Sequence, residues 1–203
     1  QAQSGLGIGL RGGLNYASVT GDNAPEDNEF KFGIHAGPTL HFGLSDMVGI
    51  QLEALYSNKG YKYEFNSTDP LSGNKTESDF NIALSYIDIP LLARVNAGPL
   101  FFEVGPQASF LVRGQDKRKV QVRTSSGDKV GNDIDDEFDI KDNYEDLDFS
   151  YVAGLGWMSE AGFGVGVRYN GGIKSIVKTT GQDQKIRNNV FQLSLMYRFG
   201  ANN

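Results

Sequence analysis

The side chains that most often carry chemistry are scarce in this sequence. The 203 residues include no cysteine and two histidines, His35 and His41. Without cysteine there is no disulfide, zinc–thiolate site, iron–sulfur cluster or thiol nucleophile. The histidines lie six residues apart on one predicted strand face, about 20 Å from each other, and therefore cannot share a metal ion. We expect no metal site, no cofactor and no catalytic residue, and the less favoured alternative is a lipid-active enzyme that pairs His35 with Ser57 or Ser109.

An acidic run is the second feature with chemical potential. Between Asp128 and Asp148 there are ten acidic residues and two lysines, a net charge of −8 in a chain whose formal net charge is −6. Calcium-binding EF-hand spacing fails, because Phe138 stands where the turn glycine belongs and Tyr144 where a glutamate belongs. We expect an extracellular hairpin in the long loop 114–146, with basic residues opposite acidic ones, and a disordered loop as the alternative. The acidic loop residues are Asp133, Asp135, Asp136, Glu137 and Asp139.

The elements that position these side chains are strands, because apolar and polar residues alternate along most of the chain. A period of two gives a strand with one apolar face, and no stretch of comparable length has a helical period of 3.6. The alternation recurs eight times. We predict strands over residues 5–17, 29–42, 47–61, 80–95, 99–113, 147–158, 163–173 and 189–199.

The fourth predicted strand changes phase. Its apolar residues occupy even positions in Phe80–Leu84 and odd positions in Ile87–Val95. A phase change within one strand requires an extra residue. We therefore place a bulge near Ser85–Tyr86.

Connections between the predicted strands are alternately short and long. Three turns of three or four residues alternate with four longer loops, so all short turns lie at one end with both termini. This layout is typical of an outer-membrane barrel, and 203 residues suit a single domain, residues 1–203. The sequence begins at Gln1 without an initiator methionine, and we expect that a signal peptide has already been removed.

The non-apolar strand face is rich in glycine rather than in the lysine, glutamate and threonine of a water-exposed strand. Glycine weakens an exposed strand, whereas inside a narrow barrel it leaves room for large side chains. We therefore predict an all-β, eight-stranded antiparallel up-and-down transmembrane β-barrel with a packed polar interior. Buried charges need partners. The predicted lumen charge network comprises Arg11, Glu53, Asp88, Arg94, Glu103, Arg168 and Arg198.

Aromatic residues mark both ends of the apolar face, and no formally charged residue interrupts that face over the eight predicted spans. Two aromatic belts around an apolar band are typical of membrane barrels. The predicted girdle comprises Tyr16, Tyr56 and Tyr151 toward the long loops, and Trp157, Tyr197 and Phe199 toward the short turns.

Four segments of the sequence resemble the PorT-type outer-membrane β-barrel domain family of Bacteroidota. They are the opening Gly9–Asn15, the central Tyr86–Leu92, the glycine-punctuated Gly154–Gly156 and the aromatic-ending Leu195–Phe199. The resemblance covers essentially the whole chain. It implies an exported eight-stranded barrel of the bacterial outer membrane, in a family of which some members are linked to type IX secretion or gliding. No catalytic motif comes with it.

Together these observations favour a non-enzymatic, structural or accessory subunit of an envelope complex that presents long extracellular loops. Its expected partners are outer-membrane lipid, lipopolysaccharide and a larger outer-membrane protein complex. Apart from its acidic segment the chain is close to neutral, which argues against nucleic acid. The alternative is a small-ligand binding or narrow transport barrel.

Overall fold

The computed structural model describes residues 6–25, 27–131, 133–178 and 185–200. These residues form ten β-strands and one short 3-10 helix, Lys141–Asn143. The described part of the chain contains no helix that is long and apolar enough to span a membrane. The strands are β1 Leu6–Thr20, β2 Glu29–Gly43, β3 Val48–Glu53, β4 Leu55–Thr68, β5 Lys75–Ala97, β6 Leu100–Arg123, β7 Ile134–Asp139, β8 Leu147–Met158, β9 Phe163–Gly172 and β10 Arg187–Arg198.

The strands close into a barrel in which all neighbours are antiparallel. β1 pairs with both β2 and β10, and the ring continues through β9, β8, β6 and β5. Both β3 and β4 lie between β2 and β5, so together they occupy one position in the wall, interrupted at Ala54. The wall is therefore an eight-stranded up-and-down barrel, and the predicted fold class is confirmed.

Apolar side chains of the wall point away from the barrel axis. Leu193 of β10 is 56% exposed, and its neighbours in the ladder, Leu14 and Val167, are also exposed. The alternate residues Gln192 and Ser194 are buried inside. An apolar outer surface and a polar interior are the reverse of a water-soluble barrel.

Three strands continue well beyond the wall. β4 and β5 remain paired as far as Thr68 and Lys75, and β6 stays paired with β5 as far as Arg123. β7 adds a fourth strand along β6. The upper parts of β4, β5 and β6, together with β7, form a four-stranded sheet that we call the extension.

The extension alters the predicted strand limits. Strands predicted to end at residues 61 and 113 and to begin at residue 80 instead end at Thr68 and Arg123 and begin at Lys75. Water lies on both sides of this sheet, so polar residues such as Thr76 and Ser78 occur among the apolar ones of its inner face and weaken the period-two signal.

The hairpin expected within residues 114–146 is present. Lys117, Arg118 and Lys119 of β6 lie opposite Glu137, Asp136 and Asp135 of β7, in that order. The predicted pairing of basic with acidic residues is confirmed.

The bulge predicted near Ser85–Tyr86 occurs at that position in the ladder, but it belongs to β6 rather than to β5. Even-numbered residues of β5 face the interior throughout, from Ile82 and Leu84 above to Asp88 and Arg94 below. A register shift does occur opposite Ser85–Tyr86, but its extra residue is Val112 of β6. What changes along β5 is the surroundings: hydrocarbon lies outside its lower half and water outside its upper half.

An apolar core closes the barrel at its long-loop end. Inward-facing residues of β1, β4, β5 and β6 pack there against two loop segments, 140–146 and 173–178, which we call the lid. The core comprises Val19, Tyr61, Ile82, Leu84, Tyr86, Leu111, Ile140, Tyr144, Ile176 and Ile186.

Candidate functional site

Two arginines and two glutamates fill the middle of the lumen. Arg168 donates from Nη1 and Nη2 to the two carboxylate oxygens of Glu53, at 2.7 and 2.8 Å, and from Nε to Glu103. Arg11 lies 3.3 Å from Glu53 and 3.2 Å from Glu103. No member of this quartet is more than 3% exposed. Two positive and two negative charges therefore balance at a level where side chains fill the interior.

Gly154 of β8 makes room for the quartet. A Cβ atom at this position would lie 2.7 Å from Cγ of Arg168 and 3.3 Å from Cγ of Glu103. The first distance is closer than side-chain carbons approach. The glycine-rich face therefore accommodates the long charged side chains that neighbouring strands send inward.

A second ion pair lies nearer the lid. Lys59 Nζ is 2.7 Å from Asp88 Oδ1 and donates to Ser109 Oγ at 3.3 Å. Lys59 was not among the predicted lumen charges, because it stands near the polar end of its predicted strand. Lys59 lies in the same phase of the alternation as Glu53 and Ser57. This phase is the sequence feature that identifies it as an inward-facing residue.

His35 belongs to a hydrogen-bonded polar layer. Its Nδ1 lies 2.8 Å from Asn15 Oδ1, and its Nε2 lies 2.9 Å from Ser194 Oγ. Asn15 donates through Nδ2 to Ser57, so its Oδ1 accepts; His35 then donates from Nδ1 and accepts at Nε2. Within the described residues His35 makes no hydrogen bond to Ser57 or Ser109, the partners considered for a lipid-active enzyme. The ring is 1% exposed and enclosed by the barrel wall.

Of the seven predicted lumen charges, the structure thus joins Arg11, Glu53, Glu103 and Arg168, and it pairs Asp88 with Lys59. Arg94 and Arg198 also point inward, nearer the short turns. Neither forms an ion pair within the described residues.

The two lid segments are held together through their backbones, and a tyrosine pair connects them to the barrel. Glu145 N–H donates to Ile176 O at 2.8 Å, and Lys178 N–H donates to Asn143 O at 3.1 Å, which joins the two lid segments. The Tyr144 and Tyr61 hydroxyls lie 3.1 Å apart. Burial raises the pKa of Tyr144 well above its usual range. The lid is thus a packed closure of the barrel at its long-loop end rather than an open loop cluster.

The inner face of the extension, on the side of the lid, carries aromatic and aliphatic side chains. Tyr63 stacks on Phe80 with ring centroids 4.5 Å apart, and the Arg118 guanidinium lies 5.0 Å from the centroid of Phe80. The next row outward from the barrel includes Phe65 and Ile134, which are 61% and 55% exposed. This face therefore presents apolar surface to water.

The outer face of the extension carries charges of both signs. Lys117 lies 3.5 Å from Glu137, and Asp133 lies 2.7 Å from Lys129 and 3.5 Å from Lys119. These neighbouring ammonium groups lower the pKa of the Asp133 carboxyl. A cavity of about 540 Å³ runs along this sheet. No group of three or more metal-ligating side chains that could hold an ion occurs in the described ranges.

The predicted acidic residues are therefore divided. Asp133 directly precedes β7, and its side chain contacts Lys119 and Lys129. Within β7, Asp135 and Glu137 lie on the outer face and Asp136 lies on the inner face, opposite Arg118. All six residues of β7 are exposed. Asp139 ends the strand and accepts a hydrogen bond from the Lys141 backbone N–H at 3.0 Å.

The predicted girdle residues lie on the outer surface at the two ends of the apolar band. Toward the long loops Tyr16 stacks on Phe30, with centroids 4.2 Å apart. Toward the short turns Tyr197 lies between Phe163 and Phe199, at 4.7 and 5.1 Å. The exposed members are Tyr16, Tyr56, Tyr151, Trp157 and Phe199, and Tyr197 is half-buried.

Comparison with known proteins gives one family match. The model of the family described as outer membrane protein beta-barrel domain matches residues 1–178. No curated protein matches the chain.

Several solved structures are similar in fold. Ail, the attachment invasion locus protein of Yersinia pestis, is 13% identical, with 95% of this chain and 99% of that chain covered and a TM-score of 0.45. Neisserial surface protein A is 12% identical over 98% of this chain and 99% of that chain, with a TM-score of 0.46. OprG from Pseudomonas aeruginosa is 14% identical over 95% of both chains, with a TM-score of 0.39.

Proposed function

Because the chain belongs to the outer membrane protein beta-barrel domain family, we propose that it is a non-enzymatic accessory subunit of a larger envelope complex, to which it presents its extension. The protein lies in the bacterial outer membrane. The short turns then face the periplasm, and the long loops and the extension face the exterior.

The observation that carries the proposal is the apolar inner face of the extension. Phe65 and Ile134 are more than half exposed, and Phe138 is 44% exposed on the same face. Soluble surfaces rarely leave large apolar side chains grouped in water unless a partner covers them. The strands beneath are hydrogen-bonded into the barrel wall, so this surface is held rigidly above the membrane.

The closed interior supports contact rather than conduction. The quartet fills the lumen at mid-height, and the lid and its apolar core close the extracellular mouth. A solute that crossed the barrel would have to displace both the quartet and the lid with its core. An eight-stranded barrel has an interior just wide enough for side chains to fill.

We further propose that the chain is of the PorT type found in Bacteroidota. The segment Tyr86–Leu92, which resembles that family, supports this proposal. In this structure it carries Tyr86 into the apolar core and Asp88 into an ion pair with Lys59. The proposed partners are lipid and lipopolysaccharide around the wall and a larger outer-membrane protein at the extension.

A second candidate function is the binding of a small ligand. The cavity of about 540 Å³ on the extension favours it, since ligand sites in proteins commonly measure about 300–1,000 Å³. Lys62, Lys119 and Glu64 are among its lining residues. A ligand that carries both positive and negative groups suits such a lining.

The accessory role is tested by isolating the tagged protein from native membranes in mild detergent after cross-linking. We expect one outer-membrane protein in a fixed ratio with the wild type. The double variant Phe65→Ser/Ile134→Ser should lose that partner. Leu71→Ser is the matched control, because Leu71 is 99% exposed at the β4–β5 turn, away from the inner face.

Two results would overturn the accessory role. One is recovery of the barrel alone from wild-type membranes. The other is a partner that the double variant retains in the wild-type ratio. If Leu71→Ser reduces recovery of the partner as much as the double variant does, the inner face is not the contact surface.

A further inference from the structure

The periplasmic third of the lumen holds two positive charges and no ion-paired carboxylate within the described residues. Arg94 of β5 is 2% exposed, and Arg198 of β10 is half-buried. The carboxylates above them are already matched: the quartet joins two arginines to two glutamates, and Asp88 pairs with Lys59. The lower lumen is therefore left with an excess of two positive charges.

Arg94 is held firmly but by neutral groups. It donates from Nη1 to Gln51 Oε1 at 3.0 Å and from Nε to Asn96 Oδ1 at 3.1 Å. Its guanidinium lies 3.6 Å from the ring centroid of Phe101. Its Nη2 has no hydrogen-bond acceptor in the described part of the chain. Gln51 also donates to Glu53, so the hydrogen-bond network of the quartet ends at Arg94.

Arg94 and Arg198 line one small cavity together with His41. Its volume is about 10 Å³, and Gln51 and Thr39 also contribute to its wall. Such a space holds about one atom of the size of water oxygen. The Nδ1 atom of His41 is buried there without a hydrogen-bond partner within the described residues.

Gly49 keeps this region open for the His41 ring. A Cβ atom at Gly49 would lie 2.6 Å from Cε1 of His41, a contact that is impossible without displacing the ring. The wall on this side is thus shaped around the His41 side chain, next to the two arginines.

We propose that this cavity is an anion site, open to the periplasm, that takes one halide ion or one carboxylate oxygen between Arg94 and Arg198. Removing a charge from water is costly unless a counter-charge and hydrogen bonds replace the water. Arg94 is removed from water, and within the described residues its counter-charge is missing. A small anion supplies that charge and an acceptor for Nη2 together. A bulky sulfonate is far larger than this cavity.

The test uses bromide as the probe. Crystals of the full chain soaked in bromide should give an anomalous difference peak within about 3.5 Å of both guanidinium groups, the range of a charge-assisted contact to a large anion. In detergent solution at constant ionic strength, replacing a bulky sulfonate salt by chloride or bromide should raise the unfolding midpoint by about 3 °C near ten times the dissociation constant.

Variants assign the effect to the site. Arg198→Gln should remove the anion dependence. It is the main variant because Arg198 makes no side-chain hydrogen bond or ion pair within the described residues, so we expect the variant to fold. Arg94→Gln should do the same where it folds. Arg187→Gln, an exposed change at the opposite end, should respond as the wild type does.

Formate in place of halide separates the two sources of the anion. A midpoint raised by formate indicates that the carboxylate of a periplasmic chain can occupy the site, and a midpoint raised only by halide indicates a free ion. The proposal is overturned if no bromide peak appears at the cavity. It is also overturned if wild type and Arg198→Gln respond equally to every anion.

Discussion

The barrel wall and the extension are built from the same strands under opposite rules. In the wall, the inward face of β5 carries Asp88 and Arg94. Four and six residues before Asp88, in the same phase, that face carries Leu84 and Ile82. Below, hydrocarbon surrounds the protein, so apolar residues face outward and charges inward. Above, water surrounds it, so apolar residues gather inside. The comparison teaches that the surroundings decide which face is apolar, while the backbone phase passes through unchanged.

Ion pairs in the two regions differ in how far their side chains are exposed to water. Arg168 and Glu53 pair in the lumen with side chains no more than 1% exposed. Arg123 and Glu77 pair on the extension at 3.2 Å with side chains about 40% exposed. Water can solvate either member of the second pair when the other is removed, but it cannot reach the first pair. Similar geometry should therefore have very different energetic consequences.

The largest expected effect comes from the same substitution made in both regions. Glu53→Gln leaves Arg168 and Arg11 sharing one carboxylate in a buried site, and should lower the free energy of unfolding by about 3–5 kcal/mol. Glu77→Gln should lower it by about 0–1 kcal/mol. Urea unfolding in lipid vesicles measures both. Equal losses would show that the lumen is hydrated and that the contrast between the regions is wrong.

A smaller contrast is expected on the apolar surfaces. Leu193→Arg places a charge in the hydrocarbon near the middle of the apolar band, and should cost about 2–4 kcal/mol. Phe65→Arg, on the water-exposed inner face of the extension, should change stability by about 0.5 kcal/mol or less. The same vesicle measurement applies. A tolerated Leu193→Arg would mean that the band does not face hydrocarbon.

The wall could be predicted from the sequence because hydrocarbon outside and charge inside force strict alternation. That contrast is weaker above the membrane. The alternation predicts loops over residues 62–68 and 75–79, which form strands, because polar residues also occur among the apolar ones of the inner face there. Residues 114–123 form the first strand of the hairpin that the sequence predicts within residues 114–146. The change of apolar phase in the fourth strand comes from the same change of surroundings.

The lumen network was predictable in membership but not in partners. Phase alone placed Arg11, Glu53, Glu103 and Arg168 inside. Which residues meet depends on the register between strands and on the tilt that closes the barrel, and neither is written in the alternation of one strand. The lid residues Ile140, Tyr144 and Ile176 carry no period, so only the folded chain shows that they share one core.

The smallest expected effect concerns the lid, where an ionisable side chain is buried among apolar ones. Burial raises the pKa of Tyr144, so the folded lid holds the phenolic proton more tightly than the unfolded chain does. This stabilisation is complete below pH about 10, the ordinary tyrosine pKa, and declines as the pH rises beyond it. Cleavage of the lid by an alkaline-stable protease should therefore accelerate above pH 10.

The Tyr144→Phe variant distinguishes the contribution of the hydroxyl from that of the buried ring. At pH 8 the variant loses the hydrogen bond to Tyr61, worth about 1 kcal/mol, so its lid should be cut about fivefold faster than that of the wild type. Because the variant no longer has this ionising group, its acceleration above pH 10 should be weaker. In the double variant Tyr61→Phe/Tyr144→Phe the acceleration of cleavage above pH 10 should be weaker still. An unchanged pH profile in both variants would place the alkaline sensitivity elsewhere and would argue that the lid closes by backbone hydrogen bonds rather than by its buried tyrosines.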